Sequence, residues 1–235
     1  MAIVISSTAP RGYVLSITVT DGHDRSALNQ DVSELLSSSR CSEFQKGDEI
    51  QLWIENSDSE DSNRIASTGF TPYRDLVQLR CPLPVQESTL QTRFFEPGVD
   101  DDAFLSVNRR AFAWHPEQGD LNKSSFAELK NEEWFDPEGF LLYELDDRLA
   151  GFCWTKIHKD HKAPLGEIYA IAIDPDYHGT GLGKPMTEAG LNYLHSKGLS
   201  TGMLYVESDN IPAVRTYEKI GFTHFLTNRA FRYRI

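Results

Sequence analysis

The chain has 235 residues, a formal net charge of −12, 40% hydrophobic and 25% charged residues, and three cysteines. That length holds one or two domains with buried cores, and the acidic balance argues against nucleic-acid or anionic-membrane partners. Cys41, Cys81 and Cys153 are too few and too scattered for a disulfide framework or a zinc site, the histidines form no HExxH pair, and Ile3-Val4-Ile5 is the longest apolar run near the start; a cytoplasmic protein without a metal is expected.

Tyr13, Leu15, Ile17 and Val19 alternate with Val14, Ser16, Thr18 and Thr20, which predicts a strand ended by Asp21-Gly22. Leu28, Val32, Leu35 and Leu36 repeat at helical spacing, with Ser26 available near the helix start, and Ile50, Leu52 and Ile54 mark a second strand. The acidic stretch from Asn56 to Asn63 reads as a solvated loop or a frayed helix start. Cys81-Pro82-Leu83-Pro84-Val85 carries two prolines and no helical period, so it is expected to link two units, 1–85 and 86–235.

The second unit opens with an alternating stretch over 90–95, then a helix over 103–113 whose start the preceding acidic run favours. A helix over 124–133, a strand over 140–145, a turn at Asp146-Asp147 and a strand over 149–157 follow, with His158 and His161 in a charged loop. The basic patch from Lys156 to Lys162 is able to receive an anionic ligand. Next, Ile168, Ala170 and Ala172 interleave with Tyr169, Ile171 and Ile173, a continuous apolar run that predicts a strand buried on both faces and ended by Asp174-Pro175.

His178-Gly179-Thr180-Gly181-Leu182-Gly183-Lys184 then leads into a helix with Met186, Ala189, Tyr193 and Leu194 on its apolar face and Gly198 at its stop. Glycine has no Cβ to block an approaching phosphate, and unpaired first-turn amides favour negative charge, so this loop is a candidate anion cradle. A strand over 203–206, a helix capped by Asn210 and stopped by Gly221, and two antiparallel strands over 222–226 and 230–234 complete an α/β fold, a mixed sheet with helices on both sides.

At an offset of 152 residues, Leu52-Trp53-Ile54-Glu55 matches Leu204-Tyr205-Val206-Glu207, and Gly69-Phe70 matches Gly221-Phe222. This is an internal repeat. The first copy has Ser26-Ala27-Leu28-Asn29-Gln30-Asp31 in place of the glycine loop and Ile65 in place of Tyr217, so it should hold pyrophosphate poorly. It either shapes one wall of a substrate cleft or only stabilises the fold.

The order of strand, glycine loop, helix, strand and the helix Asn210-x-x-Ala213-x-x-x-Tyr217-x-x-x-Gly221-Phe222 resembles the GNAT acyl-CoA transferases. The stretches RAFAWHPEQG, EWFDPEG, GFCWTKIHKDH and GEIYAIAIDP narrow the resemblance, over about 90–222, to GNAT enzymes with two tandem GNAT-like halves. The resemblance implies a GNAT fold preceded by a partial, degenerate GNAT unit, acetyl-CoA as donor, and the cysteine amine of a small cysteinyl-glucosaminyl-inositol as acceptor. A monomer is expected. Cofactor contacts are implied at Ile171, Ala172, Ile173, His178, Gly179, Thr180, Gly181, Leu182, Gly183, Lys184, Asn210, Ile211, Pro212, Ala213, Val214 and Arg215. Acceptor contacts are implied at Glu117, Lys156, Glu167 and Tyr205.

An amine is an ammonium ion at neutral pH and must lose a proton before it attacks a thioester, and the departing thiolate benefits from an acid. From residue type alone Glu167 is a solvated strand-end carboxylate and Tyr217 a core aromatic at helical spacing with Val214. The resemblance makes them base and acid, and it implies a bulge at Ile171 to Ile173 that turns an amide toward the developing oxyanion. Cys153, inside an apolar strand, reads as core rather than nucleophile. Two departures stand out: His178 where the family has Gln or Arg, and Thr180 where it often has a basic residue. Other readings are a GNAT for another small amine, an amino sugar or a polyamine, and a non-catalytic acetyl-CoA-binding module, against which retention of Glu167 and Tyr217 argues.

Overall fold

The computed structural model describes residues 2–3, 14–22, 24–37, 49–114, 118–159 and 163–235. In chain order the elements are β1 (Ala2–Ile3), β2 (Val14–Val19), α1 (Leu28–Leu36), β3 (Glu49–Ile54), α2 (Asp61–Arg64), β4 (Thr71–Pro82), β5 (Arg93–Phe94), α3 (Asp101–Ala111) and α4 (Lys123–Lys130). They continue with β6 (Phe140–Leu145), β7 (Arg148–His158), β8 (Leu165–Ile173), α5 (Gly183–Ser196), β9 (Thr201–Glu207), α6 (Ile211–Ile220) and β10 (Thr223–Arg234). Two compact units result, one of residues 1–78, 206–210 and 225–235, the other of residues 79–205 and 211–224.

In the first unit β2 and β3 run parallel, Val14 beside Glu49 through Val19 beside Ile54, and β10 pairs antiparallel with β3. The alternation of Ile50, Leu52 and Ile54 puts those side chains in a core with Val19, Leu28, Val32, Ile65, Phe70 and Phe231. The entry to α1 differs from expectation: a short 3-10 turn, Arg25–Ala27, comes first, and Asp24 rather than Ser26 supplies the capping oxygen, accepting from the Ser26 amide. The acidic stretch is not wholly solvated either. Asp61 is fully buried and accepts from Arg25, Arg64, Ser57 and the Asp58 amide, which offset the cost of removing a carboxylate from water.

The second unit carries strands in the order β9-β8-β7-β6-β5, with β7 antiparallel to both β6 and β8. The β6–β7 turn is Asp146-Asp147, both with positive φ, as a tight hairpin requires. On one face α3 and α4 cover an aromatic core of Phe95, Phe104, Phe126, Phe140, Phe152 and Trp154, joined by Ala170 and Ala172. On the other face α5 lies close to the sheet, because Gly190 has no side chain: a Cβ there would stand 2.3 Å from Cys153 Sγ and 2.8 Å from Ile168 Cδ1. Gly190→Ala is therefore expected to lower stability by about 1–3 kcal/mol through overpacking. A urea titration checks this, and an unchanged midpoint would mean that α5 lifts off at no cost.

Three sequence expectations are corrected here. Cys81 and Pro82 end strand β4 rather than opening a linker; Cys81 is buried against the sheet, and burial pushes its thiol up to about 12. The last two predicted strands are one continuous strand, β10. His158 is the final residue of β7 and not part of a loop, while Lys156 lies in that strand as expected, half-buried. Of the basic patch expected from Lys156 to Lys162, Lys159 is exposed, and residues 160–162 lie outside the described residues.

Candidate active site

Opposite Glu167 on β8 stands Lys156 on β7, and on the other side Met203 on β9. Neighbouring residues in register share a face of the sheet, so His158, two residues beyond Lys156, and Tyr205, two beyond Met203, fall on that face too. Glu167 keeps only 8% of its surface exposed and accepts a hydrogen bond from His158 Nε2 at 2.7 Å. Lys156 turns its ammonium over the rings of Trp134 (4.4 Å) and Tyr169 (5.6 Å). Tyr205 is 38% exposed. Burial raises the Tyr169 phenol, and the negative charges of Glu167 and Glu132 add to the shift.

The bulge that the resemblance implied at Ile171 to Ile173 is not found there; β8 bulges at Tyr169 instead. Trp154 pairs with Ala170 and Thr155 with Ile168, so Tyr169 is the extra residue, while Ile171, Ala172 and Ile173 stay in register with Cys153, Phe152 and Gly151. The inserted residue shifts the two-residue period by one. Tyr169 packs on the same aromatic core as Ala170 and Ala172, whereas Ile168 joins the α5 face, so the simple interleaving of even and odd positions does not hold.

Past the bulge β8 loses its other neighbour. Parallel pairing with β9 runs from Gly166 beside Gly202 to Ile168 beside Leu204 and stops there, although both strands continue. The Asp174 amide donates to Ala150 on the β7 side. Peptide groups alternate along a strand, so the amides of Ile173 and Ile171 point the opposite way, into the opening from which β9 has parted. Among the described residues the β8–β9 ladder does not reach these donors, which suit an amide-rich or anionic ligand.

The glycine loop closes the end of this opening. Gly179 and Gly181 have φ of +79° and +86°, which a side chain would strain. His178 Nε2 donates to the Ile173 carbonyl at 2.9 Å, and the Thr180 hydroxyl donates to the Tyr177 carbonyl at 2.7 Å. Both departures from the family pattern thus serve to fold the loop on itself, and the main-chain amides remain the groups for an anion. Helix α5 starts at Gly183 after Leu182 with no side-chain cap; Pro185 has no N–H and the Met186 amide donates to Leu182, which leaves Gly183 and Lys184 as the first-turn amides. A Cβ at Gly179, Gly181 or Gly183 would meet nothing within 4 Å. An uncapped helix start behind uncrowded glycines fits a pyrophosphate. Lys184 is paired with Glu188. Arg110 on α3 anchors the strand end beneath the loop, bonding Asp174 at 3.0 Å and Asp176 at 2.7 Å.

Tyr217 lies across the sheet from Glu167. Helix α6 packs on α5, on the side of Cys153 and Gly190, and Tyr217 is 8% exposed with its ring beside Phe222. Burial pushes its phenol well above the ordinary value, with the Cys153 thiol a smaller contributor. Cys153 is fully buried and its thiol is also pushed up, which suits a core position and not a nucleophile. Ile211, Pro212, Ala213, Val214 and Arg215 form the first turn and a half of α6. Asn210 belongs to the first unit, where its amide donates to the Glu207 carbonyl; Glu117 lies outside the described residues.

Sequence reasoning missed His158, Trp134 and Tyr169 as members of this face. The signal for His158 was present: extending the period of two from Lys156 by one step places it there. A separate concavity between α3 and α4, around Arg109 and Asn122, holds none of these groups. Among the described residues, no cluster of three or more His, Cys, Asp or Glu is able to hold a metal ion, and no helix is long and apolar enough to cross a membrane.

Comparison with known proteins places this geometry. The Acetyltransferase (GNAT) family matches residues 107–222. A mycothiol acetyltransferase of Catenulispora acidiphila is 39% identical over 94% of this chain and 73% of its own length, and one of Streptomyces griseus is 43% identical over 75% of this chain and 59% of its own. The chain thus spans roughly three fifths to three quarters of such relatives. Among solved structures, a GCN5-related N-acetyltransferase from Sphaerobacter thermophilus superposes with a TM-score of 0.68 at 20% identity, covering 79% of this chain and 59% of that one. A tandem GNAT protein from the clavulanic acid biosynthesis pathway gives 0.60 at 12% identity, covering 93% and 75%. Those two share the fold. The parted parallel strands, the glycine loop and the sequence relatives agree, and the chain belongs to the mycothiol acetyltransferase family of GNAT acetyltransferases.

Proposed function

We propose that this chain transfers an acetyl group from acetyl-CoA to the cysteine amine of cysteinyl-glucosaminyl-inositol, completing mycothiol. The observation that carries the reading is a hydrogen-bonded carboxylate, Glu167, beside the opening between β8 and β9, with Lys156 and Tyr205 on the same face. Bound acetyl-CoA supplies the activated acetyl thioester. The main-chain amides from Gly179 to Lys184 hold its pyrophosphate, and the inward-pointing amides of Ile171 and Ile173 bind along the opening and stabilise negative charge on the acetyl oxygen. Helix α6, from Ile211 to Arg215, borders the same ligand, with Asn210 preceding it.

Glu167 takes the proton from the acceptor ammonium, directly or through one water, and the free amine attacks. Tyr217, on the α5 side of the sheet, holds a proton on its hydroxyl for the departing thiolate. Lys156 and Tyr205 orient the sugar and inositol hydroxyls, an ammonium donating to oxygen and a phenol both bonding and packing. Glu117 is a further acceptor contact. The first unit, with its own parallel pair, helix and Gly69 of positive φ, is the remnant of a GNAT-like repeat whose chemistry is lost.

Thiol release from acetyl-CoA, measured with cysteinyl-glucosaminyl-inositol, glucosaminyl-inositol, free cysteine and spermidine, tests the assignment. Preference for the cysteinyl conjugate supports it. Preference for spermidine or glucosaminyl-inositol would replace this acceptor with another small amine, and cofactor binding without release would indicate a binding module.

A further inference from the structure

We propose that His158 is a positioning residue for the base: its Nε2–H pins Oε2 of Glu167 so that the other oxygen, Oε1, faces the acceptor amine. The inference rests on the assignment of Glu167 as base. A glutamate has three side-chain torsions, the last of them broad, so a carboxylate on a strand samples many orientations unless something holds it. Directly opposite stands Lys156, the obvious partner by register, yet its ammonium is turned onto the faces of Trp134 and Tyr169. An ammonium against the carboxylate would oppose proton uptake by favouring the charged form.

The hydrogen bond comes instead from the diagonal neighbour His158, at 2.7 Å, with side-chain exposures of 23% for the histidine and 11% for the glutamate. A carboxylate oxygen accepts, so Nε2 carries the hydrogen. One oxygen is thereby fixed and the other kept for the proton that the amine must lose. The pair lies on the β7–β8 side of Glu167; β9 is still paired there through Met203, and the opening begins just beyond, past Ile168 and Leu204. The bulge at Tyr169 begins two residues later, so Glu167 itself stays in regular register with Lys156 and at a fixed reach from His158.

The test compares His158→Phe, which keeps a ring but donates nothing, His158→Gln, which keeps an N–H donor, and His158→Ala with and without added imidazole, all beside Glu167→Gln. The expected result is a kcat at least about tenfold lower in His158→Phe, with KM for acetyl-CoA and the urea midpoint unchanged, less than the roughly 10²–10⁴-fold loss expected for the base itself. His158→Gln should recover part of the loss, and imidazole should raise the kcat of His158→Ala. Wild-type turnover in His158→Phe while Glu167→Gln is slow would overturn the positioning role and leave the base in place. If Glu167→Gln also turns over normally, the base assignment falls and this role with it. A loss in His158→Phe that tracks a lowered urea midpoint, and that neither Gln nor imidazole relieves, would reduce His158 to a structural contact.

Discussion

Glu167→Gln is expected to lower kcat by roughly 10²–10⁴-fold, the usual contribution of a positioned general base, while acetyl-CoA binding stays at the wild-type level. The substitution is close to isosteric, and the amide oxygen still accepts from His158 Nε2, so the face formed by Lys156, Tyr169 and Tyr205 is retained. The groups proposed to hold the donor, the amides of Ile171 and Ile173 and the loop from Gly179 to Lys184, lie farther along the chain, where His178 and Thr180 bond back to Ile173 and Tyr177. Steady-state kinetics with saturating acceptor, together with a direct acetyl-CoA binding titration, separate the two effects. Equal kcat in both proteins would remove Glu167 from the chemistry.

Tyr217→Phe is expected to lower kcat by about 10²-fold, because the departing thiolate then takes its proton from water. The ring keeps its place beside Phe222 and the fold should be unaffected, since only an oxygen is lost. The pH dependence has a definite sign. A free phenol ionises near pH 10, and burial pushes Tyr217 above that, so its acid form is complete throughout the range below about pH 10. Wild-type kcat should therefore show no alkaline decline attributable to Tyr217 in that range, and Tyr217→Phe should lie below it by the same factor at every pH. A difference that vanishes as pH rises toward 9 would assign the proton to another group.

The parts of this site that were legible in the sequence are those whose signals are local. The apolar run of β8, the glycines at 179, 181 and 183 and the apolar face of α5 each sit in one stretch of chain, and the elements form where their patterns place them. The bulge at Tyr169 was not legible. Tyr, Ala and Ile are acceptable on either face of a strand buried on both sides, so the pattern does not reveal where the period slips. His158 was assigned to a loop because its charged neighbours hid the end of β7; the period of two from Lys156 reaches its face, but its bond to Glu167 is non-local and was not legible. The burial of Asp61 depends on Arg25, 36 positions away, a pairing that the composition of an acidic stretch does not encode.

Strand β4 shows the same limit from the other side. Val77, Leu79 and Cys81 alternate correctly, but Asp75 and Arg74 interrupt the apolar pattern, and each is explained by a distant charge: Asp75 by Arg229 and Arg74 by Glu207. Pro82 then reads as a breaker although it is simply the last residue of the strand. Chemistry carried by non-local pairs becomes visible only once the sheet has brought the strands into register.

The most direct test of the central claim is the identity of the product. Incubated with acetyl-CoA and cysteinyl-glucosaminyl-inositol, the protein should yield one product heavier by a single acetyl group, with the cysteine thiol still reactive toward a thiol reagent and fragmentation placing the acetyl on the cysteine nitrogen. An acetylated sulfur, or an acetyl on any other position, would contradict the proposed proton abstraction by Glu167, and no product at all would contradict the assignment of this acceptor.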